Sequence, residues 1–385
     1  MEGSTLQDLP LATRNFTNLL ALNAGTSSGL PNAAAAGRGA VSTGIFVNGQ
    51  RGTNNNLVIN GIDANNLGNN NFTNVATPSP DTIEEFRVQT SMYDASQGKT
   101  SGGNINVITR GGTPNYHGQL YEYFRNDDLN ANSWFFNKTG TPRPILKQNQ
   151  FGGNFGGPIP KVSKTFFFGS YEGTRQVNGL SGAISSIFPV LPTDRTRSNI
   201  ENAFKLAPGS LDPVALNLLN AKGIYNGHLI PSGVAAAPGQ VGSLTLSAPL
   251  RFNDDQFNAN GDHQFGDLHR LSLRYFRANG NQFDPLGGQG AASLGSGLGT
   301  PFINHLASMS ETSTFTPTLI NEARLGFNRN ISGNIPNEPV KLSDVGMTRF
   351  NGAFFPGIPY ITTNDPIPNF GGISTNFDQR STTNT

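Results

Sequence analysis

The sequence predicts a mainly β protein: a transmembrane antiparallel β-barrel preceded by a small α+β domain. Two observations carry that prediction. Between residues 117 and 330 apolar and polar side chains repeatedly alternate, and a strand's period of two turns such alternation into one greasy wall and one wet wall. The links between these segments run long, short, long, short, long, short and long. Outer-membrane barrels have that parity, because short turns line the periplasmic rim and long loops face outward.

Composition agrees. The 385 residues are 35% hydrophobic and 13% charged, with 47 Gly, 25 Pro and no Cys. No stretch approaches the roughly 18 apolar residues of a membrane helix, which excludes a helical membrane protein. A mean hydropathy of -0.34 is no objection, since every second residue of a lipid-facing strand is polar. Net charge is +1, from 26 basic and 25 acidic residues without a basic stripe, so nucleic acid is discounted as a partner.

Within the first 111 residues, Asn56 to Ile59 reads as a strand, and Asn60-Gly61 as its tight turn, since both turn positions favour positive φ. Thr82 to Val88 and Ser101 to Thr109 read as further strands. The membrane strands then follow. His117 to Arg125 and Lys164 to Glu172 are aromatic with mixed alternation. Segment 148–157 sets Phe151 and Phe155 against Gln148, Gln150 and Asn154. Segment 256–265 is the clearest, with Phe257, Ala259, Gly261 and Phe265 on one face and Gln256, Asn258, Asn260, Asp262 and Gln264 on the other. Leu271, Leu273 and Tyr275 oppose Arg270, Ser272 and Arg274; Ala323, Leu325 and Phe327 oppose Glu322, Arg324 and Asn328. His305 to Phe315 is the weakest of the set. The links are 126–147, 158–163, 177–250, Gly266-Asp267, 280–304, the turn at Pro317, and the segment after Asn330. In the longest, Asp212 is a helix cap, Pro213 fits the first turn and Gly223 is the expected stop; Val214, Leu218 and Leu219 read as packing residues.

Thr82-Ile83-Glu84-Glu85-Phe86-Arg87-Val88, Tyr93, and Ser101-Gly102-Gly103-Asn104-Ile105-Asn106-Val107-Ile108-Thr109 resemble the end of the plug domain of TonB-dependent outer-membrane receptors. Asn60 and Gly61 stand where many members carry Asp-Gly. Tyr116 to Asn126, Asn149 to Ile159 and Lys164 to Glu172 resemble the first barrel strands of the Oar-like branch, and Leu9-Pro10-Leu11, Arg14-Asn15-Phe16 and Leu19-Leu20 its plug lead-in. The plug motif thus comprises Asn60, Gly61, Glu84, Gly102, Gly103 and Asn106. Two departures stand out. Arg87 occupies a position where much of the family has glutamate, so an ion pair using that carboxylate does not carry over. The usual Tyr-Gly turn is altered to Tyr93-Asp94-Ala95, with Gly98 later.

The resemblance implies a plug over residues 1–111 and the first part of a barrel over 112–385. It further implies a location in the outer membrane and contact with its lipid, a TonB complex acting through a segment absent from this chain, and import of a scarce extracellular solute. A barrel that houses a plug needs about 22 strands, so the seven or eight visible here point to a fragment, with signal peptide, TonB box and remaining strands missing. An open, curved sheet with unpaired edges is the expected form. The alternative reading is a surface adhesion or assembly protein of the same architecture. A third, a secreted all-β adhesin, requires Phe257, Leu271, Leu273, Leu325 and Phe327 to be buried between two sheets.

No catalytic constellation is present, and the chain reads as a non-enzyme without cofactor or metal. Gly98-Lys99-Thr100 mimics the end of a phosphate loop, but Tyr93 holds the required glycine position. Gly295-Ser296-Gly297-Leu298-Gly299 reads as a flexible outer loop. Asp254, Asp255, Asp262, His263, Asp267 and His269 suggest a metal, yet Asp262 and His263 fall on opposite strand faces. Tyr121, Tyr123, Phe124, Phe166, Phe167, Phe168, Tyr171 and Tyr275 are expected to form interfacial girdles. The candidate solute contacts are Asn65, Asn66, Asn69, Asn70 and Asn71 of the plug, whose amides offer donors and acceptors, and Trp134, Phe135 and Phe136 of the first outer loop.

Overall fold

The computed structural model describes residues 14–28, 45–66, 70, 75–91, 93, 100–140, 142–179, 183–223, 227–234, 237–247, 249–285, 297–337, 340–348, 357–361, 370–371 and 379–384. Leu9-Pro10-Leu11, Asn69, Asn71, the Asp94-Ala95 turn, Gly98-Lys99 and Gly295-Ser296 lie outside these residues.

A short 3-10 helix, Phe16–Leu22, opens the described chain and is followed by two short strands, β1 (Thr26–Ser28) and β2 (Ile45–Val47), paired with each other. Four more, β3 (Asn56–Ile59), β4 (Ile62–Asp63), β5 (Ile83–Gln89) and β6 (Asn104–Thr109), form a mixed sheet in the order β4-β3-β6-β5, with β3 and β6 parallel. Asn60 and Gly61 adopt φ of 52° and 77°, as the sequence predicted. Asn60 Oδ1 then accepts the Thr109 N–H at 2.9 Å, so the turn also ties β3 to the end of β6. At Gly102 a Cβ would stand 2.4 Å from the Asn54 carbonyl oxygen. Only glycine allows that approach, which brings the Gly102 N–H to Asn54 O at 2.8 Å and the Gly103 N–H to Asn55 Oδ1 at 2.9 Å.

The second unit is one eight-stranded antiparallel sheet. Its strands are β7 (His117–Asn126), β8 (Leu146–Pro158), β9 (Thr165–Asn178), β12 (Leu250–Phe265), β13 (His269–Asp284), β14 (Gly297–Thr316), β15 (Leu319–Asn337) and β18 (Gln379–Asn384). The long loop between β9 and β12 carries a hairpin, β10 (Ala183–Pro189) with β11 (Val241–Ser247); β16 (Tyr360–Ile361) and β17 (Phe370–Gly371) pair in the loop before β18. Each wall strand pairs with the next, so the sheet is an open meander with β7 and β18 at its edges among the described residues.

The alternation resolves inside out relative to a soluble sheet. Polar Gln148, Gln150, Thr174, Gln176, Asp254, Gln256, Asn258, Asn260 and Asn328 are buried, whereas Phe257, Leu273, Leu325 and Phe327 are 45%, 46%, 70% and 45% exposed. Leu271 is partly exposed. That excludes the secreted-adhesin reading, which needed these side chains between two sheets. On the outer surface, large residues sit beside small ones: Tyr275 lies between Ala259 and Ala307, which pairs with Phe327, and Phe167 lies between Gly157 and Gly261. Cross-strand pairs of this kind are what stabilise a sheet face. Tyr171 and Phe257 add a ring contact at 5.0 Å between centroids.

The link parity holds, but the strands are longer than the alternation suggested. β12 and β13 have 16 residues each, β14 has 20 and β15 has 19, against the 9–11 or so that cross a bilayer. The expected 280–304 link shrinks to 285–296. Beyond the apolar band the outward positions turn polar, as at Arg251, Asn253, Arg277 and Asn279, and backbone pairing continues in water. The Asp212-capped helix forms over Pro213–Asn220, with Asp212 Oδ1 accepting the Val214 N–H at 2.7 Å, but it stops before Gly223, at a C-cap on Ala221.

The amino-terminal sheet packs on the buried, polar side of the wall. Its core of Phe16, Leu57, Ile59, Ile83, Phe86, Ile105 and Val107 is continuous with Phe276, Ala278 and Leu306 on β13 and β14. Each large side chain so buried contributes about 1.5–3 kcal/mol.

Candidate functional site: the contact between plug sheet and barrel wall

The amino-terminal sheet is held to the wall by polar groups at three places, and the sequence assigned a role to few of them. At the first, Arg14 donates to Asp81 Oδ2 at 2.5 Å, both almost wholly buried. Ser79 donates to Glu172 on β9, whose Oε2 also accepts from Tyr121 OH at 2.6 Å. The Arg14 guanidinium lies 3.8 Å from the centre of the Tyr123 ring. At the second, Asn260 on β12 donates to the Arg110 carbonyl at 2.7 Å, and Gln256 to that of Thr77 at 3.1 Å. At the third, Asn328 on β15 donates to the Asp63 carbonyl at 3.1 Å. Three buried amides of the wall are thus spent on backbone carbonyls of the amino-terminal unit, the kind of pairing that buried polar groups require.

Tyr121, Tyr123, Phe166 and Phe168 are corrections, Phe166 because it pairs with Asp262 on the inner row of β12. They were expected in the lipid girdle, but β7 pairs Tyr121 with Gly152, which puts the odd residues of β7 on the inner face, and Phe168 is 1% exposed. The mixed alternation of these two segments had concealed the register. Phe124 and Tyr275 do face outward.

Of the asparagine candidates, Asn65 is also a correction. It is fully buried. Its Oδ1 accepts the Leu57 N–H at 2.9 Å and its Nδ2 donates to Asn56 Oδ1 at 3.2 Å, so its amide stabilises the plug interior. Asn66 is half-buried and its carbonyl accepts the Asn70 N–H at 2.6 Å; the Asn70 side chain donates to Thr53 O. Trp134, Phe135 and Phe136 begin a short helix, Trp134–Thr139, in the outer loop after β7. Trp134 and Phe135 are exposed and meet edge to face at 5.1 Å, with Lys138 over the Trp134 ring. Glu84 is exposed on β5.

A cavity of about 540 Å³ separates the β5–β6 face from β13–β15, lined by Glu85, Arg87, Asn106, Arg274, Ser308 and Arg324 among others. Gly61 lies directly under the Arg324 guanidinium. Arg274 is early in β13 and Arg324 early in β15, so the cavity sits toward the short-turn rim. The suggested metal ligands scatter: Asp254 and Asp262 are buried inside, Asp255 pairs outside with Arg175, Asp267 with Lys164, and His269 with Glu311. Among the described residues no group of three metal-ligating side chains forms.

Outside the membrane-spanning strands, the two longest outer loops share a core. Leu218 of the Pro213–Asn220 helix packs with Leu229, Val340, Val345 and Ile358, and Asn217 donates to Val345 O at 3.3 Å. This is the packing role read from the sequence. Nearby, the Glu201 carboxylate accepts the N–H groups of Gly209 and Leu211 at 3.0 and 3.1 Å, which hold its pKa below the usual value.

A wall apolar toward lipid and polar within, with a small sheet packed on its polar side, defines a plugged outer-membrane barrel. Comparison with known proteins identifies its kind. Residues 108–385 match the outer membrane beta barrel domain family. The TonB-dependent transporter Oar of Myxococcus xanthus is 29% identical over 182 residues, which cover 44% of this chain and 16% of that protein. The outer membrane transporter YddB of Escherichia coli superposes with a TM-score of 0.57 at 11% identity, over 96% of this chain and 42% of that one. The chain belongs to the outer membrane beta barrel domain family; it is similar to the TonB-dependent transporter Oar and to YddB in fold, and it spans less than half the length of either.

Proposed function

We propose that this chain supplies the plug, over residues 1–111, and the first barrel strands, over 112–385, of an outer-membrane importer. The observation that carries the reading is the plug sheet seated on the polar inner face of a lipid-facing wall. A scarce solute binds from outside, with Trp134, Phe135, Phe136, Asn66, Asn69, Asn70 and Asn71 as candidate contacts, and a TonB complex in the inner membrane supplies the pull that opens the plug. The fold does not name the solute. The test is uptake by cells making the whole gene product, using labelled ferric chelates and oligosaccharides. Uptake that stops when the inner-membrane TonB complex is deleted supports import. Surface binding without uptake, unchanged by that deletion, overturns it in favour of adhesion.

A further inference from the structure

We infer that the cavity between β5–β6 and β13–β15 is a binding site for the oxyanion group, carboxylate or phosphate, of a small solute. The inference deepens the import reading, on which it rests for placing that solute between plug and wall. Three guanidiniums line the cavity, those of Arg87, Arg274 and Arg324, with Glu85 as the one carboxylate in the lining. Two are anchored from behind. Asp262 Oδ1 accepts from Arg274 at 2.9 Å, and Glu322 pairs with Arg324. Arg87 has no ion-pair partner among the described residues and is exposed on β5. Because Asp262 and Glu322 already pair with the two wall arginines, Arg87 is the guanidinium left open to an incoming oxyanion.

Guanidiniums carry five N–H donors each in a planar fork that suits carboxylate and phosphate. Arg274 also donates through Nη1 to the carbonyls of Gly261 and Leu273 at 3.2 and 3.0 Å, which fixes where it points and leaves it fewer open donors than Arg324, held by Glu322. Ser308 and Asn106, also in the lining, supply neutral donors. The carboxylates of Asp262, Glu322 and Glu85 balance the three guanidiniums in number, so an oxyanion is held by directed N–H donors rather than by net charge, and about 540 Å³ falls in the range that takes a small organic molecule.

The test is calorimetric titration of the 385-residue chain, folded in detergent micelles, with citrate, inorganic phosphate and uncharged glucose. Citrate or phosphate should bind, glucose should not, and Arg87→Gln should weaken the anion by about tenfold, the loss of one charge-assisted contact. Lys161→Gln, an exposed site in the β8–β9 turn, should leave affinity unchanged. A far-ultraviolet spectrum identical to wild type confirms that R87Q folds, as an exposed position allows. Equal binding of glucose, equal affinity of R87Q, or an equal loss in K161Q each overturns the assignment. Equilibrium binding needs no energised partner, so anion binding without cellular uptake would sink the import reading and leave this site standing.

Discussion

Arg14 and Asp81 show how much a single buried pair governs the plug. With both ions out of water, removing one leaves the other uncompensated, which costs about 3–5 kcal/mol. Asp81→Asn should therefore lower the stability of the folded chain by that order in urea titrations of detergent-folded protein, and Arg14→Met should too. The double variant should recover part of the loss, since the orphaned charge is gone; full additivity would show that the pair is not coupled. The sequence announced some of these residues and hid others. Asn60 and Gly61 were legible because a tight turn needs two positive φ angles and few residues tolerate them. Asn65 was misread because an amide in a polar run looks identical whether it faces water or caps Leu57. Asp81, Ser79 and Glu172 carried no local signal at all, since their meeting depends on chain segments about ninety residues apart.

At the level of the strand, the two faces call for opposite substitutions. Phe327→Arg puts a charge on the lipid side and should cost about 2–4 kcal/mol if it lies near the bilayer midplane, read as a shift in urea-driven unfolding from phospholipid vesicles. Lys at the outward but polar Asn279 should cost far less. Segment 256–265 was legible because its alternation is broken only at His263, whereas His117–Arg125 failed because tyrosine suits either face and gave no phase. Strand ends were illegible for a different reason: past the apolar band, pairing continues on backbone hydrogen bonds that no side-chain pattern records. In the outer loops, the turn closed by Glu201 gives a pH prediction. Its folded pKa is lowered, so the stabilisation is complete above the ordinary carboxylate pKa and fades as pH falls through the lowered folded value. Acid-active protease should cut near Lys205–Leu211 faster as pH drops through that window, and Glu201→Gln should be cut readily at every pH in it. A wild-type rate flat across the window would rule the device out.

Across the whole molecule, the plug core is finished by the wall. Phe276, Ala278 and Leu306 belong to the same buried cluster as Phe16 and Phe86, and among the described residues the β5 edge of the plug sheet has no strand beyond it. Residues 14–111 made alone should consequently be much less stable than in the chain, with apolar surface open to a dye such as ANS; a cooperative, dye-silent melt would refute that. The parity of the links foretold the meander, yet no pattern in the chain foretold that a hydrophobic cluster would cross from one unit to the other. That crossing orders biogenesis. A plug whose last apolar partners are barrel strands cannot complete its packing while the chain is in transit through the periplasm, so its condensation is an event of membrane insertion, and whatever escorts the chain must shield an unfinished core until those strands arrive.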